Sequence, residues 1–286
     1  MLRAWLRVVI PEPAKILYRS IRRAGRRLAR LLRGVKTCQV RGLTIKVGVA
    51  SEVEQYRADS YASKEPETLD WLDQNLHEGD VFVDIGANIG LYSLYAAKRR
   101  PTSKIFAIEP ESQNFSRLCR NIVLNECSNI VPCNFPMAER HEFNLFYVST
   151  FEEGAALHSF GGVSRFQADS SPAVLTQGAV SLSLDLLIEE YGWPYPALIK
   201  IDVDGLEAKI LAGARRVLES GQVRTVLIEF NYGDAVSIDE LEREFARRGF
   251  TLSQQGSAVW ELRGDKAQNV IFHRTNPRPG SVRTAV

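Results

Sequence analysis

The sequence predicts an α/β domain built as a doubly wound, mostly parallel sheet with helices on both faces. Three observations carry that expectation. Strand-like apolar runs alternate with helix-period patterns from residue 81 to residue 248. The stretch VFVDIGANIGLYSL at 81–94 passes from a strand through a glycine turn directly into a helical pattern. A chain of 286 residues with 45% apolar content can bury one sizeable core, which favours a single domain with appendages over two equal domains.

The chain opens on a basic arm. Residues 1–36 hold eleven Lys/Arg against one acid, Glu12; 25 basic and 33 acidic residues remain in the other 250, a formal charge of −8. Leu17, Ile21, Ala24, Leu28, Leu31 and Val35 recur at spacings of three and four, so the arm reads as an amphipathic helix with arginines around its stripe. One reading lays residues 13–36 on an anionic membrane surface, which contributes ~1 kcal/mol per nearby Lys/Arg. The plainer alternative packs the stripe on the chain's own domain or on a second subunit, since Gly25 interrupts the helix and no aromatic anchors its apolar face. Nucleic acid is not expected as a partner, because the body is acidic and the arm lacks interleaved aromatics. Oligomeric state stays open. No uncharged run approaches the ~20 residues needed to cross a bilayer, and no signal-peptide pattern is present, so a cytoplasmic protein is expected, peripheral at the membrane if the arm binds there. The cysteines Cys38, Cys119, Cys127 and Cys133 show no C-x-x-C spacing and no His/Cys cluster, which reads as reduced thiols and not as a disulfide framework or zinc site.

Residues 67–76 read as a packing helix, although Tyr61 and Glu65 just before it could also form a lid over a ligand. The core alternation follows: strand 81–85, helix 91–99, strand 104–108, helix 113–125 with Phe115, Leu118, Ile122 and Val123 inward, strand 129–133 and strand 143–148. Residues 149–178, rich in Gly, Ser and Ala, lack periodicity and predict a long functional or mobile loop. Order returns at 180–188, followed by strand 197–201, helix 206–219, strand 225–230, helix 238–248 and closing strands 251–255 and 270–273. Residues 1–50 are thus an arm and lead-in, 51–274 the body, and 275–286 a disordered tail. Trp71, Trp193 and Trp260 read as packing residues.

In such a sheet, ligands sit beyond the carboxyl ends of the strands. At the first junction Asp84 ends the strand, Gly86 and Gly90 permit a tight turn and close backbone approach, and Asn88 between them can adopt a left-handed conformation. A dinucleotide fingerprint counted from Gly86 would need glycines where Asn88 and Leu91 stand, so it fails. A carboxylate at this turn suits a positively charged ligand, and the sulfonium and ammonium of S-adenosylmethionine fit; a turn holding no ligand is the structural alternative. At the second junction Glu109 is placed to accept hydrogen bonds from ribose hydroxyls, which would equally suit a nicotinamide cofactor; helix capping is its plainer role.

The segments GDVFVDIGANIGLYSLYAAK, IFAIEPESQNFSRLCRNIVLNE and LIKIDVDGLEAKILAGARRVL, with SLSLDLLIEEYG before the last, resemble the successive motifs of FkbM-type S-adenosylmethionine-dependent methyltransferases. The resemblance spans about residues 61–229. It implies a class I methyltransferase (Rossmann-like) fold with a seven-stranded sheet, one strand antiparallel, and O-methylation of a hydroxyl on a small molecule or sugar. Carried over by position, it places Asp84, Gly86, Asn88 and Gly90 along the methionine side, Glu109 on the ribose and Glu139 near the adenine. Two departures stand out: NFPMAERHEF replaces the small-residue and acidic run after the third strand, and KIDVDGLE carries Asp204 where the family has a glutamate.

That third junction gathers Lys200, Asp202, Asp204 and Glu207, and Glu229 with Asn231 follows the next strand. Transfer from a sulfonium is an in-line displacement that depends on positioning the acceptor oxygen and removing its proton. Asp202 is the first candidate for general base or acceptor hydrogen bonding. Asp204 and Glu207 also have the form of an N-terminal capping box. Asp202, Asp204 and Glu229 offer hard oxygens to a divalent metal, but nothing in their spacing demands one. His158, in the long loop, reads as a base or hydrogen-bond partner of the acceptor, or as a solvated side chain. Two further functions compete: a non-catalytic adenosyl-binding scaffold attached to membrane or a partner by the basic arm, and a nicotinamide-dependent oxidoreductase, against which the missing glycines count.

Overall fold

The computed structural model describes residues 34–162, 173–231, 237–255, 260–262 and 265–275. The main sheet runs in the order β5 (Ile130–Cys133), β4 (Lys104–Ile108), β3 (Val81–Ile85), β9 (Leu198–Ile201), β10 (Thr225–Asn231), β13 (Asp265–Arg274), β11 (Phe250–Gln255), with a short β12 (Trp260–Leu262) against β13. All neighbours from β5 to β10 are parallel, and β13 pairs antiparallel with both β10 and β11. The seven-strand path with one reversed strand is the class I methyltransferase arrangement. Strand order reverses direction at β3 and β9, so a crevice opens beyond their carboxyl ends.

The central strands are buried because their runs are apolar on both faces: Val81–Ile85 and Leu198–Ile201 carry almost no exposed side chain. On one face pack α2 (Pro66–Asn75), α3 (Leu91–Arg99) and α4 (Ser112–Asn125), with Trp71 meeting Phe82 edge-on at 5.8 Å. On the other lie α5 (Leu184–Glu189), α6 (Glu207–Ala212), α7 (Arg215–Glu219) and α8 (Ile238–Arg247), where Phe245 stacks on Phe272 at 4.0 Å. Each such large apolar side chain contributes about 1.5–3 kcal/mol by leaving water. Two elements lie outside the expected alternation: α1 (Glu52–Asp59), opened by the capping box of Ser51 and Glu54, and a hairpin of β1 (Val35–Val40) and β2 (Leu43–Gly48) whose Cys38, Val40, Ile45 and Val47 join the core.

Several expectations are corrected. Val35 begins β1 instead of ending a helical stripe; the rest of the arm helix lies outside the described residues. Val123 is 69% exposed, so α4 buries Leu118 without it. Residues 149–178 are not one structureless loop: β7 (Ser159–Phe160) and β8 (Leu175–Ser181) flank β6 (Glu142–Val148) in a separate three-stranded antiparallel sheet. The helix expected over 206–219 breaks into α6 and α7 at Gly213, where a Cβ would run into the Ala138 carbonyl. The last strand begins at Asp265, not 270, and Thr275 is still hydrogen-bonded to the Gly249 carbonyl at 2.9 Å; the rest of the expected tail is outside the described residues. Trp71 is buried and Trp193 stacks on Phe106 at 3.9 Å, both as packing residues.

Candidate active site

β3 delivers the chain into a turn that only its own residues can make. Gly86, Asn88 and Gly90 have φ of 81°, 51° and 90°, and a Cβ on Gly86 would fall well inside contact with the Asp202 carbonyl. Asn88 tolerates the left-handed region through its side chain, whose Oδ1 accepts from the Ile89 amide at 2.9 Å while Nδ2 donates to the Ala155 carbonyl at 2.9 Å. Its own amide donates to Glu109 Oε2 at 2.8 Å, and the Glu111 amide donates to Oε1 at 2.8 Å. Glu109 at the end of β4 is therefore aimed by the turn itself. Burial pushes its carboxyl up to about 8 even though these two amides favour the charged form.

Over the turn lies a strap, residues 153–158, stitched from several sides. Ser51 Oγ donates to the Glu153 carbonyl at 2.8 Å, Arg57 Nε to the Gly154 carbonyl at 2.7 Å, and Asn114 Nδ2 to the Ala155 carbonyl at 3.0 Å. The Leu157 amide, on a residue with φ of 65°, donates to Asp204 Oδ2 at 2.6 Å. Between strap and strand ends is a cleft of about 560 Å³, lined by Gly86, Asn88 and Glu109 on one wall and by Asp202, Asp204 and Glu229 on the other. Pro136, Met137 and Ile108 supply apolar lining.

The carboxylate wall separates its titrations. Lys200, itself buried, donates to Asp202 Oδ2 at 2.6 Å, and against the penalty of burial this charge holds Asp202 below the usual carboxylate range. Asp204 has no lysine bonded to it: burial and the Asp202 charge push it up to about 7, opposed by the Leu157 amide and then by the Arg57 charge and the His158 amide. Glu229 is raised well above the ordinary range by burial and then by Asp202 and Glu65. The three carboxyls are thus pulled apart, Asp202 downward by its lysine, Asp204 to about 7 and Glu229 upward by burial.

His158 lines the same cleft. The Ser149 amide donates to its Nδ1 at 3.2 Å. An amide can only donate, so the neutral ring carries its proton on Nε2, which is buried with no partner among the described residues. Burial lowers the ring's pKa, which favours its neutral form. His158 is thus held at Nδ1 by Ser149 and lies within reach of a ligand in the cleft.

The other sequence candidates divide. Asp84 is buried behind the turn and does not line the cleft, accepting from Ser93 Oγ at 2.6 Å with Lys200 Nζ 3.7 Å off. Lys200 is likewise behind the wall, beneath Asp202. Glu207 lines a second cavity of about 630 Å³ between α6 and α8, which meets the first at Glu229. The Asp204–Glu207 capping box does not form: Leu206 is the N-cap with no side-chain bond, Asp204 holds Leu157, and Glu207 accepts instead from the Gly205 amide at 3.3 Å. Glu139 is exposed beside Gly213, and Pro136 and Met137 of the same segment face the cleft in its place. The Asn231 side chain lies outside what is described. Among the described residues, no three His, Cys, Asp or Glu groups come together to hold a metal ion. None of the described helices is long and apolar enough to cross a membrane.

Sequence reasoning missed Arg57 and Lys64, which reach the cleft from α1 and the α1–α2 connection. The capping signal S-x-x-E at 51–54 marked α1, but nothing local indicated where its arginine would point. Asp185, in the SLSLDLLIEEYG segment, proves to be a cap: it accepts from the Arg216 and Val217 amides at 3.1 and 2.9 Å.

The chain is similar to several known proteins. A family model described as the methyltransferase FkbM domain matches residues 84–252, more than half of the chain. A hexuronic acid methyltransferase, AglP, of Haloferax volcanii is 25% identical over 202 residues, covering 71% of this chain and 77% of that protein. The 31-O-demethyl-FK506 methyltransferase FkbM of Streptomyces tacrolimicus is 28% identical over 219 residues, 70% of this chain and 83% of its own length. Among solved structures, M. jannaschii TYW2 in complex with AdoMet aligns over 84% of this chain and 87% of its own with a TM-score of 0.39 at 14% identity.

Proposed function

Because this chain belongs to the FkbM family of S-adenosylmethionine-dependent methyltransferases, we propose that it methylates a hydroxyl oxygen on a small molecule or sugar, by in-line transfer with Asp204 as general base. The observation that carries the reading is the split carboxylate wall beside the glycine turn, with Asp204 pushed up to about 7 next to an Asp202 kept ionised by Lys200. A base works best when its pKa lies near the working pH. Asp202, the first choice on sequence, is tied to Lys200 and is the weaker base of the two.

The residues fit the cofactor on their own chemistry. Gly86 leaves no space for a side chain, so backbone can meet ligand there. Glu109 is a buried carboxylate whose oxygens each hold one amide and keep a lone pair for hydroxyl donors. When bound, S-adenosylmethionine supplies an electrophilic methyl on a sulfonium. Asp202 then provides negative charge beside the turn, Asp204 accepts the acceptor hydroxyl's proton at a carboxylate oxygen, and Glu229 and His158 hydrogen-bond and orient the acceptor. The acceptor enters from the α6–α8 cavity, whose meeting point with the cleft is Glu229. The names of the two relatives, one a hexuronic acid methyltransferase and one a 31-O-demethyl-FK506 methyltransferase, support hexuronic acids and 31-O-demethyl-FK506 as the first panel.

Transfer of labelled methyl to such a panel tests this, comparing wild type with Asp204→Asn. Loss of general-base catalysis should cost roughly 10²–10⁴ in turnover with S-adenosylhomocysteine affinity within about 3-fold, and the rate limb near pH 7 should vanish in the variant. An unchanged rate for Asp204→Asn, or product methylated on nitrogen, would rule the assignment out.

A further inference from the structure

Above the glycine turn the main cleft narrows into a recess of about 30 Å³, room for about two water-sized polar groups and not for a sugar ring. The turn residues Gly86, Ala87, Asn88 and Ile89 line it. Around it stand two acids, Glu65 and Asp202, and two bases, Arg57 and Lys64; both bases line the main cleft as well. Paired acids and paired bases about so small a space match a zwitterion, whose ammonium and carboxylate leave a single carbon.

The two bases differ in how they are held. Lys64 Nζ pairs with Glu65 Oε1 at 2.7 Å. Arg57 is tethered only at Nε, to the Gly154 carbonyl at 2.7 Å, and its terminal nitrogens make no hydrogen bond among the described residues. A guanidinium fixed at Nε presents its two remaining N–H edges as a planar fork, the geometry that receives a carboxylate. Its charge already reaches Asp202, Asp204 and Glu109, which places it over the junction of turn and carboxylate wall.

We propose that Arg57, with Lys64 beside it, receives the α-carboxylate at the methionine end of the cofactor, while Glu65 and Asp202 face its ammonium. This rests on the S-adenosylmethionine reading of the cleft and names a specificity residue that neither the glycine turn nor Glu109 supplies. Anchored to the strap at Gly154, Arg57 also joins ligand recognition to the loop that roofs the cleft.

Calorimetry on the full chain separates the possibilities with two probes, S-adenosylhomocysteine and its decarboxylated analogue, which keeps the amine and lacks only the carboxylate. Wild type should prefer S-adenosylhomocysteine by about 10- to 100-fold, the range of a charge-assisted bidentate contact. Arg57→Gln keeps a donor for the Gly154 carbonyl and loses the charge, so the preference should collapse to within about 2-fold, while the analogue binds as it does to wild type. Arg57→Lys should retain part of the preference. Equal affinity of wild type for both probes overturns the assignment. Equal loss of both probes in Arg57→Gln overturns it too, by showing that Arg57 only supports the strap. No binding of S-adenosylhomocysteine to folded wild type would instead sink the cofactor reading on which this one rests.

Discussion

Gly86 and Asp204 stand on opposite walls of one cleft, and the walls are built from different materials. The turn wall is backbone held at positive φ, with Asn88 and Glu109 locked to each other through an amide and with no space beside Gly86. The opposing wall is a set of carboxylates whose behaviour depends on which of them has a cation: Asp202 has Lys200, Asp204 has an amide, and Glu229 has neither lysine nor arginine as its leading influence. The first wall works by shape and the second by titration. A side chain added to the turn wall should be ruinous at every pH, whereas a shape-conserving change on the carboxylate wall should leave the fold alone and alter how rate depends on pH.

The largest effect should come from Gly86→Ala, and Gly79→Ala is its natural control. Both glycines have φ of 81°, but a Cβ on Gly79 meets nothing within 4 Å whereas one on Gly86 strikes the Asp202 carbonyl. Gly79→Ala should therefore show conformational strain alone, about 1 kcal/mol or roughly 2–4 °C in Tm. Gly86→Ala should lose more than roughly 8 °C and all measurable S-adenosylhomocysteine binding. Equal losses in thermal melts of the two variants would mean that the turn is not pressed on β9 and the comparison fails.

Glu109 tests where the two kinds of wall meet, since it is aimed by the turn yet titrates. Its carboxyl sits at about 8 against an ordinary 4.5, so between those values the folded protein holds a proton that the unfolded chain has released. Stability from this group is complete below pH 4.5 and is lost as pH rises through 8. Glu109→Gln removes that slope: relative to wild type, the ligand-free variant should gain a few degrees in Tm at pH 9 and little at pH 4.5. Its S-adenosylhomocysteine affinity at pH 7 should fall about 3- to 10-fold, the worth of a hydrogen bond to a neutral group. A Tm difference that stays flat with pH would place Glu109 in contact with water and detach it from the turn.

The same division explains what could be read from sequence. The turn wall was legible because its constraints are local: an apolar strand, then Gly86, Asn88 and Gly90 at fixed offsets, bounded Val81–Ile85 and Leu91–Arg99 correctly. The hairpin of β1 and β2 also carried its own signal, alternation about an Arg41-Gly42 turn with φ of 48° and 83°, but the helical count running into Val35 obscured it. The carboxylate wall was only half legible. Lys200, Asp202, Asp204 and Glu207 are sequence neighbours, yet β9 buries the first, the strap claims the third, and the turn into α6 sends the last to another cavity. Which neighbour is raised to about 7 depends first on burial, and the amide that holds that neighbour, Leu157, lies 47 residues away. Arg57 was illegible for the same reason, because its tether is Gly154, 97 residues away. Glu139 was misplaced because the segment after β5 has no periodicity to fix its register.

Asp185 sharpens the comparison by belonging to neither wall, and its effect should be the smallest. It lies within a segment that resembles a family motif, which on sequence alone invites a role in the site. Its carboxylate instead closes the first turn of α7, taking the amides of Arg216 and Val217 where the N-cap residue, Ala214, has no side chain to offer. Its own amide donates to the Gly213 carbonyl at 2.9 Å, so α5 and the α6–α7 break are fastened at one point. Removing a cap of this kind costs about 1–2 kcal/mol, and Asp185→Ala should lower Tm by roughly 2–8 °C. Asp185→Asn retains an acceptor and should lose less. Since Asp185 touches neither the turn nor the carboxylates, both variants should bind S-adenosylhomocysteine within about 2-fold of wild type. Weaker binding with an unchanged Tm would move this motif from the scaffold into the site, and the two-wall description would then need a third.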